Sequence, residues 1–173
     1  MEVTSERILA GMTNDILVRP AEPADGDTLL TLIDALADYE SLPRPDAGAR
    51  GRLLDHAFGT TRYFWALIAE REGQPVGYAL YFFTYSSFLA QPTLYLEDVF
   101  VAPQHRGVGA GKALMQRLFQ EAVAKDCGRM EWQVLDWNEP SIQFYQRLGA
   151  QHQREWLPYR LLRDQLETLA QEG

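Results

Sequence analysis

The chain has 173 residues, 46% hydrophobic and 23% charged, with a formal net charge of −8. That length suits one domain with one core, and the negative balance disfavours a nucleic-acid partner, which would meet a basic face. No apolar run reaches the roughly 18 residues of a membrane span, and the single Cys127 leaves no intramolecular disulfide, so a cytoplasmic protein without membrane association is expected.

Residues 1–15 contain Glu2, Glu6 and Asp15 and no apolar segment. They read as a flexible lead-in rather than a signal peptide, ahead of a single domain over residues 16–173. Ile16-Leu17-Val18-Arg19, ending at Pro20, is expected as a first strand. Asp25 or Asp27 is placed to cap the next helix, in which Leu29, Leu30, Leu32, Ile33, Leu36 and Ala37 share a face. It should stop near Tyr39-Glu40, before Pro43 and Pro45. A short helix over 50–58 follows. Strands are expected over 63–70, 76–85 and 93–101, joined by the turn Glu72-Gly73-Gln74-Pro75 and a loop over 86–92. Then come a helix over 111–125, a strand over 130–135 and a helix over 139–148 that Gly149 ends. One or two irregular strands are expected near Gln151 and over 160–162, and a last helix over 164–172. The order is that of an α+β, or mixed α/β, protein.

The sharpest local signal is Val101-Ala102-Pro103-Gln104-His105-Arg106-Gly107-Val108-Gly109-Ala110-Gly111-Lys112. A strand ends, glycines turn the chain, and a helix begins. Closely spaced glycines let backbone N–H groups approach an anion, and the helix start adds partial positive charge. Arg106 adds a full charge. A P-loop would need Gly at 106 and Ser or Thr at 113, where Arg and Ala stand. A dinucleotide fingerprint starting at Gly107 would need Gly at 112, where Lys stands. A site for phosphate or pyrophosphate of another kind remains, against the alternative of a turn that uses glycine for geometry alone.

The second segment is Asn138-Glu139-Pro140-Ser141-Ile142-Gln143-Phe144-Tyr145, running on to Gly149-Ala150. Ser141, Ile142 and Tyr145 lie near one helical face, and Asn138 is placed as an N-cap. By themselves, a plain cap and a core tyrosine would account for Asn138 and Tyr145.

Together the two segments resemble the GNAT superfamily of N-acetyltransferases. Arg106, Gly109 and Gly111 fill the fixed positions of its pyrophosphate loop, and Asn138, Ser141, Tyr145 and Gly149 those of its second cofactor segment. Leu36-Ala37-Asp38-Tyr39-Glu40, Tyr81 to Tyr85 and Leu94-Tyr95-Leu96-Glu97-Asp98 further resemble the diamine (spermidine/spermine) and thialysine branch. The resemblance implies a central, largely antiparallel sheet of about six to seven strands flanked by helices. It implies acetyl-CoA as cosubstrate and no metal, in keeping with scattered His56, His105 and His152.

Residue by residue, it implies that acetyl-CoA is held by Val99, Phe100, Val101, by Arg106, Gly107, Val108, Gly109, Ala110, Gly111 and Lys112, and by Asn138, Ser141 and Tyr145. Tyr39, Glu40, Glu97 and Asp98 would contact the substrate. Acetyl transfer to an amine needs a neutral nucleophile, although an alkyl ammonium has a pKa near ~10.4, and a protonated leaving thiolate. Glu97 is the expected base and Tyr145 the expected acid. Regular strand alternation would place Glu97 and Asp98 on opposite faces, with Asp98 orienting the site or attracting a second amine. The expected acceptor is a small cationic amine: a diamine, a polyamine or a lysine analogue. Ser86-Ser87-Phe88 departs from the polyamine pattern, which has an acidic residue and a tryptophan there. A protein or peptide acceptor is the alternative, and a non-catalytic acetyl-CoA-binding domain another. A homodimer is expected from the same resemblance and from the aromatic strands and tail.

Overall fold

The computed structural model describes residues 16–171. The expected lead-in over residues 1–15 lies outside them. The described residues fall into two compact units, divided between Gln133 and Val134.

The first unit is built on a five-stranded sheet in the order β1-β2-β3-β4-β5. Its strands are β1 (Ile16–Pro20), β2 (Trp65–Arg71), β3 (Gln74–Ser86), β4 (Gln91–Val101) and β5 (Arg129–Trp132). The first four are antiparallel neighbours, and β5 runs parallel to β4. Three helices belong to it: α1 (Gly26–Tyr39), α2 (Ala47–Phe58) and α3 (Ala110–Ala124), the last forming the crossover between β4 and β5.

The apolar stripe read from the sequence becomes buried surface. Leu29 and Leu32 of α1 and Ala57 of α2 join Ala66, Ile68, Tyr78, Leu80 and Phe100 of the sheet in one core. The alternate strand residues Leu67, Ala69 and Ala79 are buried too, as are Leu114, Met115 and Leu118 of α3, which packs on β1 to β4. Both faces of β2 and β3 are therefore covered, which explains why their sequences are apolar runs rather than alternating ones. Between them, Glu72 and Gly73 both have positive φ, 52° and 74°, the pattern of a tight hairpin turn matched to strand twist.

Asp25 does precede α1, but its carboxylate does not cap the helix. It accepts from both terminal nitrogens of Arg19, at 2.7 and 2.8 Å, and from the Glu22 N–H. Arg19 also reaches Glu70 at 2.6 Å, so one guanidinium ties β1, β2 and the start of α1 together. The Arg19 pairing holds the Asp25 carboxyl below the usual carboxylate range.

The second unit contains α4 (Glu139–Arg147) and α5 (Arg163–Gln171). Gly149 closes α4: its N–H bonds to Gln146 and that of Ala150 to Tyr145, the paired bonds of a Schellman end. The strands expected near Gln151 and over 160–162 do not form: the residues are exposed and take part in no ladder. The fold class is the expected one, with five strands in place of six to seven. No helix among the described residues is long and apolar enough to cross a membrane.

Candidate active site

The site is organised by an irregularity in β4. Leu80 of β3 faces Asp98, but the next residue, Tyr81, faces Leu96. Glu97 is the extra residue of a β-bulge, and such bulges bend a strand and re-aim side chains. The expectation that Glu97 and Asp98 point to opposite faces assumed unbroken alternation, and the bulge removes that premise.

The bulge also marks where β4 and β5 part. Thr93 to Leu96 are paired with Arg129 to Trp132, and the pairing stops there. From Glu97 to Val101 the edge of β4 on that side has no strand beside it in the first unit. Alternate backbone groups of Val99, Phe100 and Val101 on that edge are thus left out of any ladder, as a chain of amide-bearing ligand would require.

Asp98 is half-buried and accepts from the Tyr78 hydroxyl at 3.0 Å. Burial, first of all, pushes its carboxyl up to about 6; the Tyr78 bond acts the other way, and the charges of Glu97 and Glu40 raise it further. Glu40 follows α1 directly, and burial raises its carboxyl too. Glu97 itself is exposed. Among the described residues, none of these three carboxylates has an ion-pair partner.

Beyond β4 the chain makes a short turn over Pro103–His105 and enters the glycine loop. Gly107 and Gly109 hold φ of 81° and 93°, and open space surrounds the Cβ position of Gly107. Glycine is required there by torsion, not by crowding. Ala113 makes the first bond of α3, to Gly109. The N–H groups of Ala110, Gly111 and Lys112 therefore lack acceptors within the helix, next to its positive end. Arg106 donates from Nε to the Val101 carbonyl at 3.1 Å, and its guanidinium lies 4.4 Å over the Tyr39 ring. That contact joins the predicted phosphate loop to the predicted substrate residue at the end of α1. No group of three or more His, Cys, Asp or Glu among the described residues could hold a metal.

Asn138, Ser141 and Tyr145 lie in the second unit. Asn138 is buried, and its side-chain oxygen accepts from Ser141 N–H at 3.4 Å, so it caps α4. Burial pushes the Tyr145 phenol up to about 12. A phenol is protonated at neutral pH in any case, and the shift extends that state, which a proton donor needs, to higher pH. Ser86, the first residue of the Ser86-Ser87-Phe88 segment, is buried and accepts from Leu89 N–H at 3.3 Å. Its hydroxyl holds the turn after β3.

The chain matches the Acetyltransferase (GNAT) family over residues 29–150. It belongs to that family. This acetyltransferase is 34% identical over 166 residues to the thialysine N-epsilon-acetyltransferase of Bos taurus, covering 90% of this chain and 97% of that one. It is also 34% identical over 165 residues to a human spermidine/spermine N(1)-acetyltransferase-like protein, covering 90% of this chain and 24% of that one. Among solved structures, an integron cassette protein from V. cholerae has the same fold, with a TM-score of 0.76 at 23% identity, over 92% of this chain and 99% of that one.

In the acetyltransferase, the first unit gathers Tyr39, Glu40, Glu97, Asp98 and the loop from Arg106 to Lys112 around one end of β4. Sequence reasoning missed Tyr78. A tyrosine inside an apolar strand reads as core, and only the β3–β4 register puts its hydroxyl beside Asp98.

Proposed function

We propose that this acetyltransferase moves an acetyl group from acetyl-CoA to the primary amine of a small cationic substrate, such as a diamine, polyamine or lysine analogue. The observation that carries this reading is the trio Glu40, Glu97 and Asp98: the charges of Glu40 and Glu97 both act on the half-buried Asp98 carboxyl, and none of the three has an ion-pair partner among the described residues. Such a group is costly unless a positive ligand joins it. The names of the two relatives, with thialysine and spermidine/spermine as acceptors, support it.

The residues present suit acetyl-CoA. The N–H groups of Ala110, Gly111 and Lys112, with Arg106, would take the pyrophosphate, and the free edge at Val99 to Val101 the amide-bearing arm. The bound cosubstrate supplies the activated acetyl thioester. Glu97 and Asp98 bind the ammonium and take its proton, directly or through water. Tyr145, a phenol protonated at neutral pH, gives a proton to the departing sulfur. Attack is direct, so no nucleophilic side chain is needed. We further propose that the enzyme works as a homodimer in the cytoplasm, with exposed aromatic residues such as Phe88 and Tyr159 supplying interface surface.

The test is thiol release from acetyl-CoA with putrescine, spermidine, spermine, lysine, thialysine and a lysine-containing peptide. Release with one or more of the small amines and none with the peptide is expected. Release with the peptide alone would overturn the small-molecule reading.

A further inference from the structure

A carboxylate that positions a substrate must be held in one orientation, because misplacement by about an ångström is costly in rate. Asp98 sits on a strand, where its carboxyl could turn about two side-chain bonds. The side-chain hydrogen bond that restrains it comes from Tyr78, whose phenol donates to Oδ2 at 3.0 Å. Tyr78 is itself immobile. It is 0% exposed, its register partner is Phe100, and it reaches diagonally across the ladder to Asp98 two residues earlier. Its ring lies 6.4 Å from that of Phe100, and Phe100 lies 6.3 Å from Tyr39, so the restraint is seated in a packed aromatic row. A phenylalanine would fill the same volume. The hydroxyl is therefore not explained by packing, and it donates to the carboxylate. The bond occupies Oδ2 and leaves Oδ1 to another donor.

We infer that Tyr78 is a positioning residue of the acceptor site: by holding Oδ2, it locks the Asp98 carboxylate so that Oδ1 accepts one N–H of the substrate ammonium. This rests on the amine-acetyltransferase reading above. The groups that act on Asp98 are Tyr78 from β3, Glu97 from β4 and Glu40 from the end of α1. Tyr78 favours the ionised form and the two glutamates oppose it.

The experiment is steady-state kinetics of Tyr78→Phe with an amine that the wild type acetylates. The KM for the amine should rise about tenfold, since a hydrogen bond that orients a charged group is lost, while the KM for acetyl-CoA stays within about twofold of wild type. The acid limb of kcat/KM for the amine should move to higher pH, because the lost bond had stabilised the carboxylate. A merely structural role would not move that limb. Adding Tyr78→Phe to Asp98→Asn should change nothing further, as expected when one residue acts through the other. An unaltered amine KM and acid limb in Tyr78→Phe, or additive effects in the double variant, would overturn the inference. Should Tyr78→Phe not fold, Asp98→Asn decides, since it keeps an acceptor for the phenol: an unchanged amine KM there leaves Tyr78 nothing to position. A wild type inert to all amines would defeat the functional reading as well. An active wild type with an insensitive Tyr78→Phe defeats this inference alone.

Discussion

Asp98 is a half-buried carboxyl two residues from fully packed Phe100, and the strand accommodates it because Tyr78 donates to it. Its pKa near 6 leaves it ionised at neutral pH, yet close enough to neutrality to exchange a proton. Tyr145 is the complementary case, a phenol whose pKa burial raises to about 12. Replacing Tyr145 by Phe should lower kcat by about two orders of magnitude or more while acetyl-CoA affinity, read by calorimetry, changes little. Unchanged turnover would remove Tyr145 from the mechanism. At this scale the glycine loop was legible, because Gly107 and Gly109 are fixed by local torsions that sequence encodes directly. The pairing of Tyr78 with Asp98 was not. It depends on how two strands align, and the bulge at Glu97 shifts that alignment by one residue without any glycine or proline to announce it.

Strand β4 is the element on which the site depends. On one edge β3 runs along it to Val101; on the other, β5 leaves it after Leu96. The approach of β3 is tight at Gly77, where a Cβ would overlap the Phe100 carbonyl oxygen and press on Val101. Gly77→Ala should therefore cost about 1–3 kcal/mol of stability in denaturant titration, as overpacking does. Because the strain falls on the Phe100–Val101 backbone, acetyl-CoA affinity should weaken as well. A variant as stable and as tightly binding as wild type would mean that this edge gives way without consequence. The helices and the hairpin were legible within a residue or a few, since periodicity and the Glu72-Gly73 turn are local signals. The strands expected near Gln151 and over 160–162 were misjudged for the opposite reason. Whether a segment forms a strand depends on the pairing it finds elsewhere in the chain, which its own residues do not encode, and the second unit contains no strand of its own.

Across the molecule, large apolar side chains remain exposed in both units. Tyr85 lies at the end of β3 and Phe88 in the turn that follows it, and Trp156, Leu157 and Tyr159 lie in the segment between α4 and α5, all more than half exposed. Surface of this kind is usually covered by a partner. Light scattering at micromolar concentration should give twice the chain mass, and a purely monomeric mass would contradict the proposed homodimer. The most direct test of the central claim uses two acceptors of equal length that differ by one charge: cadaverine and n-pentylamine. With Glu40, Glu97 and Asp98 awaiting cations, kcat/KM should favour cadaverine by about tenfold or more at low salt, and Glu40→Gln should shrink that preference. Equal rates for the two amines, or a preference for n-pentylamine, would show that the three carboxylates do not form the acceptor site.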